Sequence, residues 1–239
     1  MKVLCVIPAR YASTRLPGKP LADINGKPMI QHVYERACCA QTPDTVLLAV
    51  DDERVYTAAK QFGAQVMMTD VNHNSGTDRL AEVAQHHPDV DIIVNVQGDE
   101  PLIPAEIIDV LVGVFEDADI SMATLKCELP EHDVDNPAAV KVVTDCHDNA
   151  LYFSRSPIPY RREQITGLKM YKHIGIYAYR RDFLLKYAQM PRTLLERVES
   201  LEQLRALENG YKIKVLPVEY NGVGVDTPAD LEAVRQILK

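Results

Sequence analysis

The feature that most constrains the fold of this sequence is an alternation between short apolar runs and longer segments with helical spacing. β-branched apolar runs predict strands at Val3 to Ile7, Thr45 to Val50, Gln65 to Met68 and Asp91 to Val96. Helical spacing between these runs predicts helices at Met29 to Ala40, Glu53 to Phe62 and Thr77 to Gln85. The first and last strands are continuously apolar, which is typical of parallel strands covered on both faces. The alternation therefore predicts an α/β fold with a doubly wound, mostly parallel sheet.

Beyond about residue 120 the pattern becomes richer in strands. Strand-like runs occur at Ile120 to Cys127, Val140 to Thr144, Ala150 to Ser154 and His173 to Tyr179, and Asp148-Asn149 is typical of a hairpin turn. Two helices are predicted at Thr193 to Glu208 and Pro228 to Leu238, on either side of a strand at Ile213 to Pro217. A chain of 239 residues can form one sizeable core or one core with a small lobe. We therefore expect a single domain over residues 1–239 with an inserted β-rich lobe at about 125–190.

Composition argues against several functional classes. The net charge of −8 disfavours a nucleic-acid partner, because such binding depends on clustered Lys and Arg. No apolar run approaches the roughly 20 residues of a membrane helix, and the run at Val3 to Ile7 is too short for a signal peptide. The five cysteines are odd in number and contain no C-x-x-C pair, so neither a disulfide framework nor a zinc site is indicated. We expect buried thiols and a reducing, cytoplasmic location.

A basic loop follows the first predicted strand, over Pro8 to Pro20. It contains Arg10, Arg15 and Lys19 and no acidic residue. Arginine binds phosphate through two parallel hydrogen bonds, lysine adds a mobile charge, and ligands of open α/β sheets bind at the carboxyl ends of strands. The loop therefore predicts a triphosphate site, although a solvated basic loop would have the same composition. It lacks the G-x-x-x-x-G-K-[ST] pattern, which argues against a P-loop NTPase.

Two acidic turns are candidates for binding a metal. The segment Asn95 to Pro101 places Asp99 directly after a buried strand, and Gly222 to Pro228 places Asp226 before a helix. Magnesium prefers one or two carboxylates together with phosphate oxygens. The alternatives are an ordinary Asp turn at Asp99 and a helix cap at Asp226 or Thr227 before Pro228. If both turns meet the basic loop, they predict a magnesium site at the phosphates of a nucleotide.

Several segments together resemble one known family. They are Pro8 to Leu21, Ser75 to Arg79, Asn95 to Pro101, Tyr152 to Pro159, His173 to Arg180, Leu195 to Arg205 and Gly222 to Asp230. In combination they are similar to the 3-deoxy-manno-octulosonate cytidylyltransferases, also called CMP-Kdo synthetases. The resemblance implies a nucleotide-diphospho-sugar transferase-like fold, CTP and the sugar acid Kdo as substrates, Mg²⁺, and a role in lipopolysaccharide biosynthesis. It also implies a homodimer and a β-rich lobe that serves sugar binding or dimerisation.

The resemblance also assigns roles to individual positions. The nucleotide-binding residues that it implies are Pro8, Ala9, Arg10, Ser13, Arg15, Lys19, Ser75, Gly76, Arg79, Gln97 and Asp99. The sugar-acid-binding residues that it implies are Arg155, His173, Tyr177, Glu202 and Gln203. The resemblance implies Asp99 and Asp226 as metal ligands. It implies Arg10, Lys19, Asp99 and Asp226 as the catalytic residues.

Each of these assignments has a plainer alternative. Ser75 to Arg79 reads as a helix cap followed by an exposed arginine, and His173 as an interior histidine. The predicted helix Thr193 to Glu208 has an apolar stripe formed by Leu194, Val198, Leu201 and Leu204, which we expect to face the core. Its Glu199 then belongs to a solvated face. For the whole chain, the alternatives are a cytidylyltransferase for another acid such as sialic acid, a sugar-1-phosphate nucleotidyltransferase, a glycosyltransferase or a nucleotide sensor.

Overall fold

The computed structural model describes residues 1–12, 16–73, 75–163, 165–220 and 222–239. The strands in this part of the chain are β1 (Val3–Ala9), β2 (Asp23–Ile24), β3 (Lys27–Pro28), β4 (Thr45–Val50), β5 (Val66–Met68), β6 (Ile92–Asn95), β7 (Met122–Glu128), β8 (Lys141–Thr144), β9 (Ala150–Ser154), β10 (Tyr171–Arg180) and β11 (Lys214–Pro217). The helices are α1 (Met29–Ala37), α2 (Glu53–Gln61), α3 (Gly76–His86), α4 (Ala105–Gly113), α5 (Arg181–Ala188), α6 (Leu194–Glu199), α7 (Leu204–Glu208) and α8 (Pro228–Ile237).

One large sheet organises the molecule, with the strand order β11-β7-β10-β6-β1-β4-β5. β1 lies between β6 and β4 and pairs in parallel with both, and β5 extends the parallel part at the edge. β10 is antiparallel to β6 and β7, while β11 is parallel to β7. The expected α/β fold with a doubly wound, mostly parallel sheet is confirmed.

The β-rich part of the chain continues the same sheet. β7 and β10 lie inside it, and the hairpin of β8 and β9 attaches to it through a pair between β8 and β10. Asp148 has the left-handed backbone conformation, φ 58°, in the turn of this hairpin. The hairpin prediction is thereby confirmed, whereas the role of this region in sugar binding or dimerisation stays a prediction.

Helices cover both faces of the sheet, which explains the continuous apolarity of β1. Side chains of one face pack with α1 and α4 in a cluster that includes Cys5, Ile7, Ile30, Val33 and Leu111. Side chains of the other face pack with α3 and α5 in a cluster that includes Leu4, Val6, Leu80, Val83 and Leu184. Burial of each such large side chain contributes about 1.5–3 kcal/mol to folding. The two clusters hold the carboxyl ends of β1 and β6 at one edge of the sheet.

The prediction of one helix over Thr193 to Glu208 is wrong. The segment breaks at Ser200, which has φ 52°, into α6 and α7. Leu194 and Val198 of the expected core stripe are 69% and 74% exposed, and only Leu201 and Leu204 are buried.

A buried ion pair accompanies this break. Arg205 in α7 donates from Nε to Glu196 Oε2 at 2.9 Å and from Nη2 to Oε1 at 2.6 Å. Because Glu196 and Arg205 are both buried, the short helices are held by a polar contact that an apolar stripe does not indicate. Helices α4 and α5 were also not predicted, since their segments lack the cap signals found at Ser75 and Thr227.

The expectation of buried thiols is only partly correct. Cys5 and Cys127 are buried, but Cys38, Cys39 and Cys146 are exposed, and all five are free. None of the helices within the described ranges is long and apolar enough to cross a membrane.

Candidate active site

Two neighbouring parallel strands end at the same edge of the sheet and build a cleft there. β1 ends at Ala9 and leads into the basic loop, and β6 ends at Asn95 and leads into the acidic turn. The cleft has a volume of about 410 Å³. It is lined by Pro8, Ala9, Arg10, Ala12, Lys19, Pro20, Met29, Gly76, Arg79, Gln97, Gly98, Asp99 and Asp226. The structure thus brings most of the predicted nucleotide-binding residues together, while Ser13 and Arg15 lie outside the described residues.

The start of the basic loop is anchored by residues from the next strand and helix. Tyr11 N donates to Asp51 Oδ1 at 3.0 Å, and the guanidinium of Arg54 lies 3.5 Å from the centroid of the Tyr11 ring. Asp52 caps α2 and pairs with Arg54, which fixes the arginine over the ring. Asp51 directly follows β4, so its position in the sequence indicates the edge of the sheet where the cleft lies. No sequence motif identified it as a site residue.

Arg79 is fully buried behind the cleft, so it is not the exposed arginine that the helix-cap alternative implies. Its Nη2 donates to Asp51 Oδ2 at 3.0 Å, Nη1 contacts Thr69 Oγ1, and Nε has no partner among the described residues. Burial lowers the pKa of this guanidinium, opposed by the charge of Asp51. Arg79 therefore ties the start of α3 to the same carboxylate that holds the basic loop.

Ser75 serves as the cap that the plainer alternative predicted. Its Oγ accepts from Asp78 N at 3.1 Å, and its own N donates to Asp78 Oδ2 at 3.0 Å, which is a capping box. Ser75 is absent from the lining of the 410 Å³ cleft, whereas Gly76 in the first turn of α3 belongs to it.

Lys19 joins the two acidic turns. Its Nζ lies 2.7 Å from Asp99 Oδ2 and 3.0 Å from Asp226 Oδ1, and its side chain is only 12% exposed. Val225 N donates to the Asp99 carbonyl at 2.9 Å, so the backbones of the two turns also meet. The cap of α8 is Thr227, which forms a capping box with Asp230, so the capping alternative is correct for Thr227, and the Asp226 side chain faces Lys19 instead.

The two aspartates fit a divalent cation by the chemistry of their donors. Their carboxylates are hard oxygen ligands that share one ammonium group, and Mg²⁺ in phosphoryl-transfer sites takes one or two carboxylates with phosphate oxygens. Among the residues that the structure describes, no group of three or more His, Cys, Asp and Glu could hold a metal. This donor set therefore suits a cation whose coordination is completed by a bound triphosphate.

Gly98 lets the acidic turn approach the end of β1. A β-carbon at this position would lie 2.7 Å from the Pro8 carbonyl oxygen and 3.3 Å from Ile30 Cδ1. We expect Gly98→Ala to lower the free energy of unfolding by about 1–3 kcal/mol, the usual cost of overpacking. Chemical denaturation measures this change.

Gly113→Ala is the matched control, because its β-carbon would meet nothing within 4 Å and its backbone is helical. It should leave stability unchanged or raise it by up to about 1 kcal/mol. Equal stability of the two variants would contradict the close approach at Gly98.

A second pocket of about 190 Å³ shares Gly76 and Gln97 with the first cleft. It is lined by Gly76, Thr77, Asn95, Gln97, Met122, Tyr177, Tyr179, Tyr187, Glu202 and Gln203. Three of the predicted sugar-acid residues, Tyr177, Glu202 and Gln203, thus lie together beside the first cleft.

This second pocket contains buried polar atoms without hydrogen-bond partners. They are Asn95 Oδ1, Glu202 Oε1 and Gln203 Nε2, within the described residues. Burial raises the pKa of the Glu202 carboxyl above its ordinary value. Unsatisfied buried polar groups cost about 1–3 kcal/mol each, so a ligand that bonds to them would be recognised strongly. Asn95 was not predicted, since a lone Asn at a strand end is common.

His173 and Arg155 lie outside the lining of both pockets. His173 Nε2 bonds to Thr124 Oγ1 at 3.0 Å and its ring contacts Tyr177, while burial lowers its pKa to about 3. The imidazole is therefore neutral and supports Tyr177 from behind, as the interior alternative predicted.

The Arg155 guanidinium is bonded to backbone carbonyls. It donates to the carbonyls of Glu199, Pro137 and Ser200 at 2.8, 2.9 and 3.3 Å. Glu199 in turn accepts from Ser154 Oγ and Arg155 N, so it is not the solvated residue expected from the helix pattern. A role of Arg155 in binding the sugar acid stays a prediction.

Comparisons with known proteins agree with this site. Residues 4–213 match the family model described as cytidylyltransferase. The 3-deoxy-manno-octulosonate cytidylyltransferase of Geotalea uraniireducens (strain Rf4) is 55% identical, with 100% of each chain covered. That of Solibacter usitatus (strain Ellin6076) is 54% identical over 100% of this chain and 95% of the relative.

A solved structure of CMP:2-keto-3-deoxy-manno-octonic acid synthetase complexed with CTP is 49% identical. It superimposes with a TM-score of 0.95 and covers 100% of this chain and 98% of that chain. The sequence identity, the coverage and the shared fold together show that the chain belongs to the 3-deoxy-manno-octulosonate cytidylyltransferase family.

Proposed function

We propose that this chain transfers CMP from CTP to 3-deoxy-D-manno-octulosonate (Kdo), giving CMP-Kdo and pyrophosphate for lipopolysaccharide biosynthesis. One observation carries this proposal. The ammonium group of Lys19, in the basic loop, contacts the carboxylates of both Asp99 and Asp226. A smaller polar pocket adjoins this group through Gly76 and Gln97. The arrangement suits a triphosphate and a hydroxylated acid bound side by side.

The protein contributes positioning and neutralisation of charge in this mechanism. Arg10 and Lys19 hold the triphosphate, so that the anomeric hydroxyl of the sugar acid can attack the α-phosphate in line while pyrophosphate leaves towards the loop. A Mg²⁺ held by Asp99 and Asp226 would supply further stabilisation of the charge on the phosphates. No covalent intermediate on the protein is needed.

The second pocket supports selection of the sugar acid. Glu202 and Asn95 offer hydrogen-bond acceptors and Gln203 offers a donor, and each has a buried atom without a hydrogen-bond partner among the described residues. Glu202 Oε1 also lies 3.6 Å from Arg205 Nη2, an ion pair longer than a hydrogen bond. Hydroxyl groups both donate and accept, so a polyhydroxylated ligand can satisfy all three. A site built this way rejects analogues that lack the hydroxyl by a large factor, because buried groups would be left unpaired.

A homodimer is the assembly that we propose, and the face of α6 supports it. Leu194 and Val198 lie one turn apart on this helix and are 69% and 74% exposed, and Leu151 on β9 is 62% exposed. Leu194 and Val198 form an apolar face on one side of α6, and a contiguous exposed apolar face is typical of a surface that another chain covers. A cytoplasmic, reducing location is part of the same proposal and agrees with five free cysteines.

Val198→Glu should shift the protein from dimer to monomer at micromolar concentration, because it places a charge on the apolar face of α6. Light scattering coupled to gel filtration measures the mass. Val110→Glu on α4 is the matched control, since Val110 is 46% exposed and lies on a different helix, and it should remain dimeric. A wild-type protein that is monomeric, or a dimeric Val198→Glu variant, would contradict this interface.

The function is tested by pyrophosphate release from purified protein with Mg²⁺. CTP, UTP and ATP should be offered in turn with Kdo, with sialic acid and without an acceptor. We expect release only with CTP and Kdo. A preference for sialic acid would show that the chain uses another acceptor. If no pyrophosphate is released with CTP and any of the acids, the result would contradict a cytidylyltransferase activity.

A further inference from the structure

Tyr220 and Glu100 form a contact beside the two aspartates that the proposed mechanism does not use. Tyr220 follows β11 near one edge of the sheet, and its hydroxyl donates to Glu100 Oε2. Glu100 is the neighbour of Asp99 in the acidic turn. The ring of Tyr220 packs against the apolar cluster beneath the sheet, so the hydroxyl is presented to Glu100 from a fixed position.

Two glycines allow the chain to fold closely around this contact. A β-carbon at Gly222 would overlap the phenol of Tyr220, so any larger residue here would have to displace the ring. At Gly224 a β-carbon would lie 3.2 Å from Glu100 Oε1, which is tighter than ordinary van der Waals contact. Glu100 is therefore enclosed between the tyrosine that precedes these glycines and the backbone that follows them.

The same segment then reaches Asp99. Val225 N donates to the Asp99 carbonyl at 2.9 Å, and the next residue, Asp226, places Oδ1 3.0 Å from Lys19 Nζ. Asp226 is thus located by the backbone bond of Val225 on one side and by its own N, which donates to Asp230 Oδ2 at 3.0 Å, on the other. The contact of Tyr220 with Glu100, six residues earlier, fixes the start of the same segment.

We propose that Tyr220 and Glu100 are positioning residues whose hydrogen bond holds Asp226 opposite Asp99 and so sets the affinity of the nucleotide-loaded site for a divalent cation. The proposal rests on the proposed function, because it presupposes that the two aspartates bind the cation. Groups that orient metal ligands typically change metal affinity or activity by about 10–100-fold when removed.

Tyr220→Phe tests the proposal without changing charge or ring size. The dissociation constant of CTP is measured by calorimetry with and without Mn²⁺, in the absence of sugar acid, so that no turnover occurs. We expect the tightening of CTP binding by Mn²⁺ to be about tenfold smaller in the variant, while the metal-free constant stays within twofold of wild type. A purely structural role would change both constants together.

Tyr34→Phe is the matched control, because Tyr34 packs in the same cluster and its hydroxyl accepts one hydrogen bond from Gln65 N, away from the acidic turns. It should leave both constants unchanged. An unchanged effect of Mn²⁺ in Tyr220→Phe would overturn the proposal. No effect of Mn²⁺ on the wild-type protein would instead overturn the metal assignment itself, so the two failures are distinguishable.

A double-mutant cycle shows whether the effect passes through Asp226. In an Asp226→Asn background, Tyr220→Phe should cause no further loss of the Mn²⁺ effect, since the group that it positions has already been removed. A further loss of similar size would overturn the proposal. Gly222→Ala displaces the phenol by another route and should reproduce the result of Tyr220→Phe, and it replaces that variant if Tyr220→Phe does not fold.

Discussion

Asp99→Asn should lower kcat by about a hundredfold or more and leave the fold intact. The substitution removes a charge that faces Lys19 at 2.7 Å and, in the proposed mechanism, one of two ligands of the cation at the triphosphate. Loss of a single electrostatic group at a reacting centre costs about 10²–10³ in kcat. The Asp99 side chain is 38% exposed, so the amide can be solvated and stability should change little.

Asp182→Asn is a suitable control for this experiment. Its side chain is 93% exposed and lies on α5, where it pairs only with Arg181 among the described residues. Steady-state kinetics at saturating CTP, Kdo and Mg²⁺ should show wild-type turnover for the control. Near-normal turnover of Asp99→Asn would remove Asp99 from the metal site.

Lys19→Met should raise the KM for CTP and lower kcat, together reducing kcat/KM by about 10²–10³. Lys19 offers its charge to the triphosphate, and it is 12% exposed between two carboxylates, so the neutral side chain fits the space without supplying that charge. The same substitution leaves Asp99 and Asp226 facing each other without an ammonium. We therefore also expect the free protein to bind Mn²⁺ more tightly than wild type.

These opposite changes separate an active-site role from simple damage. A partly unfolded variant would lose both CTP use and cation binding. Lys60→Met on α2 is the control, because this lysine is exposed and remote from the cleft, and its kinetics should match wild type. Unchanged kinetics with CTP in Lys19→Met would exclude Lys19 from the phosphate site.

Local sequence signals were sufficient for the central sheet. The apolar runs around β1, β4 and β6 indicate strands covered on both faces, and β5 lies at the edge of the sheet. Pro, Gly and capping residues mark where the intervening helices begin or end. The carboxyl ends of parallel strands then meet at one edge, which is why the basic loop and Asp99 could be expected together. The meeting of Asp226 with them, 207 residues from Lys19, needed the tertiary structure.

The segment from Thr193 to Glu208 shows where local signals fail. Its apolar spacing favours one amphipathic helix, but Glu196 turns inward to pair with Arg205 and the chain bends at Ser200. The ion pair joins two residues nine positions apart, and the spacing of apolar residues does not indicate such a polar contact. The bend nevertheless places Glu202 and Gln203 together in the second pocket, and their role in binding the sugar acid stays a prediction.

Asp51, Asn95 and the contact of Tyr220 with Glu100 were missed for a related reason. Asp51 is defined by its contacts with Tyr11 and Arg79, and Tyr220 by a residue 120 positions away, rather than by their sequence neighbours. Asn95 is distinguished by a buried oxygen that has no hydrogen-bond partner among the described residues. Asp51 contacts the basic loop and Arg79, while Glu100 and Tyr220 contact each other beside Asp99, and Asn95 lines the second pocket.

A crystal structure of the protein with CTP and Mn²⁺ tests the central claim most directly, since anomalous scattering locates the manganese independently of the nucleotide. We expect a manganese peak at the carboxylates of Asp99 and Asp226, with the triphosphate along Arg10 and Lys19 and the cytosine towards Gly76. A nucleotide bound away from the basic loop, or manganese that contacts neither aspartate, would contradict the account.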